Sequence, residues 1–268
     1  MSPIWGLLLL IVLFLAGFPV PYAIAGGAMF IMKFSTGMKW MSITSNMIGG
    51  VNSFTILCIP LFLLAGKLMN ECGITDRLFR SARAIIGWVP GGLGHVNILA
   101  SFIFAGMSGT AVADAAGLGQ IEIKAMEDAG YDRDFSAAIT ASSSTLGPIV
   151  PPSMPLVVYG MVSGVSVGAL LVAGVLQGFV IALCMAALVT VYAIKRKYPR
   201  DKFVSWEKTL HDLVGGILPT FTPVIIILGI YTGIFPPTEA AAICVVYASF
   251  LGVVVYRELT PKRYWAVL

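Results

Sequence analysis

Charge is what this sequence has least of. Only 11% of its 268 residues are Asp, Glu, Lys or Arg, against roughly a quarter in a soluble domain. The shortage is concentrated. Residues 1–32, 40–66 and 135–194 contain no charged side chain at all, and the last run far exceeds the ~20 residues that cross a bilayer. Such runs exclude the core of a soluble enzyme, and their recurrence along the chain indicates a membrane protein with several spans. Cysteine is also scarce. Cys58, Cys72, Cys184 and Cys244 show no CxxC pair and no metal-ligand spacing, which leaves small buried side chains as their reading. The opening Met1-Ser2-Pro3 has no basic segment and no small-residue cleavage site, so a removed signal peptide is not expected. The net charge of +4 points to membrane orientation rather than to nucleic acid.

What is there is apolar sequence interrupted in telling places. Apolar stretches run over 4–32, 49–68, 91–120, 135–160, 165–194, 214–235 and 240–256. The first is broken by Gly17-Phe18-Pro19-Val20-Pro21 and the third by Gly106-Met107-Ser108-Gly109-Thr110. Gly and Pro break the helical ladder, and in lipid the freed backbone groups need protein or water around them. Residues 71–86 read as an amphipathic interfacial helix, with Ile74, Leu78, Ala82, Ile85 and Ile86 on one face and Asp76, Arg77, Arg80 and Arg83 off it. Residues 122–134 read as a short charged connector, and 33–48 as a loop.

The basic residues orient the chain. With 71–83, 122–134, 195–208 and 257–263 on the cytoplasmic side, that side holds fourteen of the seventeen Lys and Arg residues. Residues 91–130 then begin and end on the same side, and their glycine-rich centre favours a re-entrant hairpin with its tip at Ser108-Gly109-Thr110. His95 and His211 read as interfacial, and Asn97 as a partner for hairpin backbone. A weak repeat relates 17–23 to 233–240. Its offset of about 216 residues suits an inverted-repeat transporter, and it would put a second hairpin near position 324. On this reading 1–210 is the first repeat: scaffold helices 1–70, interfacial helix 71–86, hairpin 91–130, broken helix 135–160, helix 165–195 and basic loop 195–208. Residues 211–268 open an incomplete second repeat. The expected fold is all-α and polytopic.

Two segments carry chemistry. One is the hairpin tip. The other is Ser142-Ser143-Ser144-Thr145-Leu146-Gly147-Pro148-Ile149-Val150-Pro151-Pro152-Ser153. Each proline removes a donor and clashes with the carbonyl one turn earlier, so Pro148, Pro151 and Pro152 should unwind the middle of 135–160. Freed carbonyls and hydroxyls are hard oxygen ligands that suit sodium, and the half-helix N-termini suit an anionic solute. Candidate sodium ligands are Ser108, Thr110, Thr145 and Gly147, and the wider candidate set adds Gly109, Asp114, Ser144, Pro148, Pro151 and Pro152. Asp114 is the only charge between Arg83 and Glu122. An intramembrane carboxylate is either functional or a structural partner of hairpin backbone or hydroxyl. Glu239, after Pro236-Pro237-Thr238, suits the first turn of a helix.

These residues carry a resemblance. FTILCIPLFLLAG (54–66), GMSGTAVADAAGLG (106–119), TLGPIVPPSMPLVVYG (145–160) and GIFPPTEAAA (233–242) resemble, in order, the large membrane subunit of tripartite ATP-independent periplasmic (TRAP) transporters, the DctM type. The resemblance implies a bacterial or archaeal inner-membrane protein that is no enzyme. It also implies a small four-helix membrane partner (DctQ type) and a periplasmic substrate-binding protein (DctP type). Sodium would drive uptake of organic acids, such as C4-dicarboxylates or sialic acids, by an elevator movement. Members of that family carry a second hairpin and a second broken helix that this sequence lacks. It therefore reads as a truncated chain that does not transport alone. Three other readings stay open: a different sodium–anion symporter with the same hairpin architecture, a purely structural membrane subunit, and an intramembrane serine protease suggested by the GxSG pattern at 106–109.

Overall fold

The computed structural model describes residues 2–200, 206–260, 263, 264 and 267, with only the backbone of 206–214. The readings made on Lys202, Lys208, His211 and Lys262 fall outside the described residues and side chains. The chain forms two compact units, Met1–Ser53 and Phe54–Leu268.

In the first unit α1 (Ile4–Leu15) ends before the Gly-Pro break, and α2 (Val20–Phe30) begins directly after Pro19 and continues into a π-helical turn over Ile31–Ser35. Pro21 sits in the first turn of α2, where its missing N–H would have had no helical partner anyway. The two helices pack where Gly6 faces Gly27 and Ile31. Residues 33–48, read from the sequence as a loop, instead contain most of α3 (Trp40–Val51). That segment has no proline, but Ser42, Thr44, Ser45 and Asn46 dilute its apolar positions, so its hydropathy shows no helical run. Thr44 donates to Trp40 O at 3.1 Å, which spends a polar side chain inside the helix.

The second unit begins with a 3₁₀ turn over Phe54–Leu57 that leads into α4 (Cys58–Glu71), then α5 (Ile74–Ile86) and α6 (Gly92–Ser108). Next come α7 (Ala111–Ala116), α8 (Leu118–Asp128), α9 (Arg133–Ser143), α10 (Met154–Ser163) and α11 (Val167–Arg196). It closes with α12 (Trp206–Tyr231) and α13 (Pro237–Phe250), the latter prolonged by a π-helical turn over Leu251–Val255. No strand occurs among the described residues. The fold is all-α. Phe54–Glu71, Val167–Arg196 and Pro237–Val255 are long and apolar enough to cross a membrane. The shorter helices are the pieces into which Gly and Pro cut the remaining apolar sequence.

The amphipathic segment at 71–86 is α5, and its apolar face is more enclosed than an interfacial helix requires. Ile74, Leu78 and Ala82 are fully buried, joined by Phe79, and α6 and α12 pack over them. Ile85, placed on that face from the sequence, is 49% exposed, because α5 ends at Ile86 and its last turn runs past its neighbours. Arg77 lies off the apolar face but is not free. It pairs with Glu258 at 2.7 Å and lies over the Tyr256 ring at 4.2 Å. Tyr256 also repairs α12. Pro219 lacks the N–H that would bond Gly215 O in a regular helix, and the Tyr256 hydroxyl donates to that carbonyl at 3.2 Å.

A third fastening holds the corner between α8 and α9 to the end of α11. Asp132 accepts from Arg196 and from the Tyr198 hydroxyl, each at 2.6 Å. The Tyr198 hydroxyl first, and the Arg196 guanidinium second, hold its carboxyl below the usual carboxylate range. The rings of Tyr131 and Tyr198 stack beside it with centroids 4.5 Å apart.

The enclosure of α5 gives a paired expectation. Leu78→Ala should cost about 2–5 kcal/mol of unfolding free energy, as for other large-to-small core changes. Arg80→Ala, on the exposed face, should stay within about 0.5 kcal/mol. Denaturant unfolding of the two variants in lipid nanodiscs measures both, and equal losses would contradict the burial described.

Candidate functional site

The hairpin is present as a helix, a turn and a returning arm. α6 descends to Ser108, Gly109 turns the chain, and α7 and α8 lead back with a break at Gly117. α6 is buried on nearly every side, as a helix that is apolar all round must be. Gly109 has φ +63°, the left-handed region that costs a side chain about 1–2 kcal/mol. Thr110 then caps α7, its hydroxyl accepting from Ala113 N at 3.2 Å. The cap gives the turn a second helix start within two residues of the first helix end.

The broken helix is present too. α9 stops at Ser143, a 3₁₀ turn covers Ser144–Leu146, and residues 147–152 are unwound before Ser153 caps α10. Ser153 accepts from Leu156 N at 3.3 Å and donates to Pro148 O. The Pro151–Pro152 peptide is cis. The carbonyls of Gly147, Pro151 and Pro152 accept no hydrogen bond among the described residues, which leaves oxygen lone pairs in an apolar surrounding.

These two segments meet backbone to backbone. A Cβ on Gly147 would lie 2.6 Å from Thr110 C and 2.7 Å from Thr110 O, closer than atoms tolerate. A Cβ on Gly109 would collide with Pro152 O. Gly109 is thus required twice, by its φ and by its neighbour. Gly147, in ordinary helical φ/ψ, is required only by the contact.

The sequence-derived residues fall into three groups. Ser108, Gly109, Thr110, Gly147, Pro151 and Pro152 converge at the contact, with Pro148 held beside it through Ser153. Ser108 is buried, and its hydroxyl reaches Thr110 O only at 3.5 Å, so its oxygen is weakly engaged. The donor set there is oxygen only, which fits a small hard cation. Thr145 is not brought into the group: it is exposed, and its hydroxyl donates to Ser142 O at 2.6 Å. Asp114 and Ser144 are buried one step behind the tip.

Several side chains sit differently from their sequence reading. Asn97 serves the broken helix rather than hairpin backbone. Its amide donates to Thr140 at 2.7 Å and its carbonyl accepts from Ser143 at 2.7 Å, while Ser101 donates to Ser143 at 3.1 Å. This ladder of hydroxyls and amide joins α6 to α9. The signal for it was available: Asn97 and Ser101 are four residues apart, and so lie on one helical face. His95 is buried, and its Nε2 lies 3.2 Å from Thr190. Glu122, read as part of a charged connector, is fully buried in α8, because α5, α6 and α9 close around that helix. Glu239 does occupy the first turn of α13. Cys58, Cys72 and Cys244 are buried free thiols, and Cys184 is exposed. A cavity of 740 Å³ opens between α9 and α11, lined by Asp132, Phe135, Ser142, Tyr192 and Arg196 among others. It contains none of the tip residues.

Comparison with known proteins places these features in a wider set. Residues 7–268 match the family model described as the tripartite ATP-independent periplasmic transporter, DctM component. The chain is 47% identical over 260 residues to a sialic acid TRAP transporter large permease protein, SiaM, of Vibrio cholerae, covering 96% of this chain and 60% of that protein. It is 40% identical over 256 residues to the sialic acid TRAP transporter permease protein SiaT of Haemophilus influenzae, covering 96% of this chain and 42% of that one. It is 36% identical over 254 residues to the 2,3-diketo-L-gulonate TRAP transporter large permease protein YiaN of Escherichia coli, covering 94% and 59%. The chain therefore spans about three fifths or less of the length of these curated relatives.

The contact at Gly147 is open to a direct test. Gly147→Ala should destabilise the protein and weaken any stabilisation by sodium, since the backbone of Thr110 and Ala111 opposes it. Gly49→Ala, in α3 with no atom near its Cβ position, should be neutral or stabilising by about 0.5–1 kcal/mol through helix propensity. Thermal unfolding of both variants, with and without sodium, should give opposite signs for the same chemical change.

Proposed function

The chain belongs to the DctM component family of tripartite ATP-independent periplasmic transporters, and we propose that it serves as the large permease subunit of a sodium-coupled secondary transporter for organic acids. Its solute is of the sialic-acid or C4-dicarboxylate type. The carrying observation is the meeting of a re-entrant tip with an unwound helix, which concentrates oxygen donors without a fixed charge. Ser108, Thr110 and Gly147 supply ligands to the ion from the two segments. Thr145, whose hydroxyl turns back to its own helix, joins them only after a rotation. The sialic-acid relatives support a carboxylated sugar as solute, drawn in part by the positive end of the α10 dipole behind the unwound prolines.

Partners follow from the same reading: a small four-helix membrane subunit of DctQ type and a periplasmic binding protein of DctP type that delivers the solute. The protein resides in the inner membrane with its basic segments on the cytoplasmic side. Residues 1–210 make the first repeat and 211–268 open the second. The hairpin α6–α8, with the broken helix, moves as an elevator body against scaffold elements that include α5. A family of transporter components gives no support to the protease reading of Ser108. His95 Nε2 lies against Thr190.

The proposal is tested by solute uptake into liposomes that hold the full-length protein with its small subunit and binding protein. Replacing sodium with potassium should abolish uptake. Ser108→Ala and Thr110→Ala should each raise the sodium concentration for half-maximal uptake by several-fold, in line with about 1 kcal/mol per lost ligand interaction. Uptake indifferent to sodium would favour a purely structural or differently driven role.

A further inference from the structure

The cavity between α9 and α11 takes no part in the contact at the tip. Its 740 Å³ lies within the roughly 300–1,000 Å³ of small-molecule sites. Its two ends differ in chemistry. One end is charged: Asp132, Arg133 and Asp134 stand at the start of α9, and Arg196 is the last residue of α11. Away from that rim the wall is mainly apolar, built by Phe135, Ile139, Leu188 and Tyr192.

We propose that this cavity binds a zwitterionic phospholipid with a primary ammonium headgroup, phosphatidylethanolamine, taken from the bilayer leaflet at the charged ends of α9 and α11.

The first support is depth. α11 is long and apolar enough to cross a membrane, and Arg196 ends it. The charged rim therefore lies where a lipid carries its headgroup, and the apolar wall runs from there toward the hydrocarbon. Aromatic rings gather at the same level, as they do at membrane–water boundaries. Phe135 and Tyr192 have centroids 5.8 Å apart, and Phe135 and Tyr198 5.1 Å. Leu188 and Tyr192 are exposed, so the wall is open to the side, where an acyl chain would enter.

The second support is charge complementarity. The rim carries two guanidiniums and two carboxylates, so it selects neither sign of net charge. It also has hydrogen-bonding capacity to spare. Arg196 uses Nη1 on Asp132 at 2.6 Å and on Tyr198 at 3.2 Å, and lies over the Tyr192 ring at 5.5 Å. Its Nε and Nη2 make no hydrogen bond among the described residues. Arg133 uses Nε on Glu127 at 3.3 Å, which leaves both of its terminal nitrogens. Asp134 has no hydrogen-bond or ion-pair partner among the described residues. A phosphodiester can accept from the two arginines, and an ammonium can donate to Asp134. An anionic headgroup would satisfy the arginines but sit beside two carboxylates. A choline headgroup has no N–H to offer Asp134. A free acidic solute meets the same two carboxylates and gains nothing from the apolar wall.

The site rests on the span of α11 and is independent of the sodium and solute readings. Native mass spectrometry tests it on the full-length protein released from nanodiscs of equal phosphatidylethanolamine, phosphatidylcholine and phosphatidylglycerol. Phosphatidylethanolamine should be retained in excess. Arg133→Gln combined with Asp134→Asn, both exposed, should lower that retention by about tenfold, as for lost charge-assisted hydrogen bonds. The unaltered protein gives a second reading. Phosphatidylethanolamine with a photoreactive acyl chain should label peptides covering 135–142 and 185–192. Equal retention of the three lipids, or retention indifferent to the double change, would overturn the proposal. So would preference for phosphatidylglycerol, which would make the rim an anion site. Labelling confined to other helices, the result expected if further chain covers the cavity, would overturn it as well.

Discussion

Everything in the second unit is arranged around one contact between two stretches of backbone that have left their helices. In a lipid environment a backbone that stops hydrogen bonding to itself must be covered by protein or line a polar cavity. The turn at Gly109 and the unwound chain at 147–152 cover each other, with the Gly147 position pressed on Thr110 and the Gly109 position on Pro152. No side chain intervenes, so neither segment can change alone. A rearrangement of the tip is felt at the prolines, and the reverse.

The surrounding helices make that contact affordable. α6 is sheathed by α4, α5, α9 and α11, so the descending arm meets protein on nearly all sides. The Asn97–Thr140–Ser143–Ser101 ladder ties the same arm to α9, which ends where the unwinding begins. Further out, the Tyr256 hydroxyl supplies the donor that Pro219 cannot, and Arg77 is clamped between Glu258 and Tyr256. The contact is thus framed by side-chain bonds that use residues distant in sequence.

Much of this was legible in the sequence, and the reason is the chemistry of proline and glycine. Pro148, Pro151 and Pro152 cannot continue a helix whatever surrounds them, and Gly109 between two apolar arms marks a turn. Breaks are local properties. What was not legible is which polar residues the fold would enclose. Glu122 lies among Gln120, Lys124, Glu127 and Asp128, so its window reads as solvated, and only the closure of α5, α6 and α9 buries it. The enclosure of His95 against Thr190 of α11 has the same origin. α3 was missed because its polar residues hide its period. Thr145 was placed in the ligand set as a hydroxyl beside the glycine and prolines of the broken helix; its hydrogen goes to Ser142 O, a local bond that the sequence does not reveal.

The central claim is that the tip and the unwound segment form one ion-responsive unit. Hydrogen–deuterium exchange on the full-length protein in nanodiscs, with sodium compared against potassium, reads both segments at once. Sodium should slow exchange in peptides covering 108–113 and 147–157 together, with α1 and α2 unchanged. Protection that appears in one segment without the other, or that potassium produces equally, would contradict it.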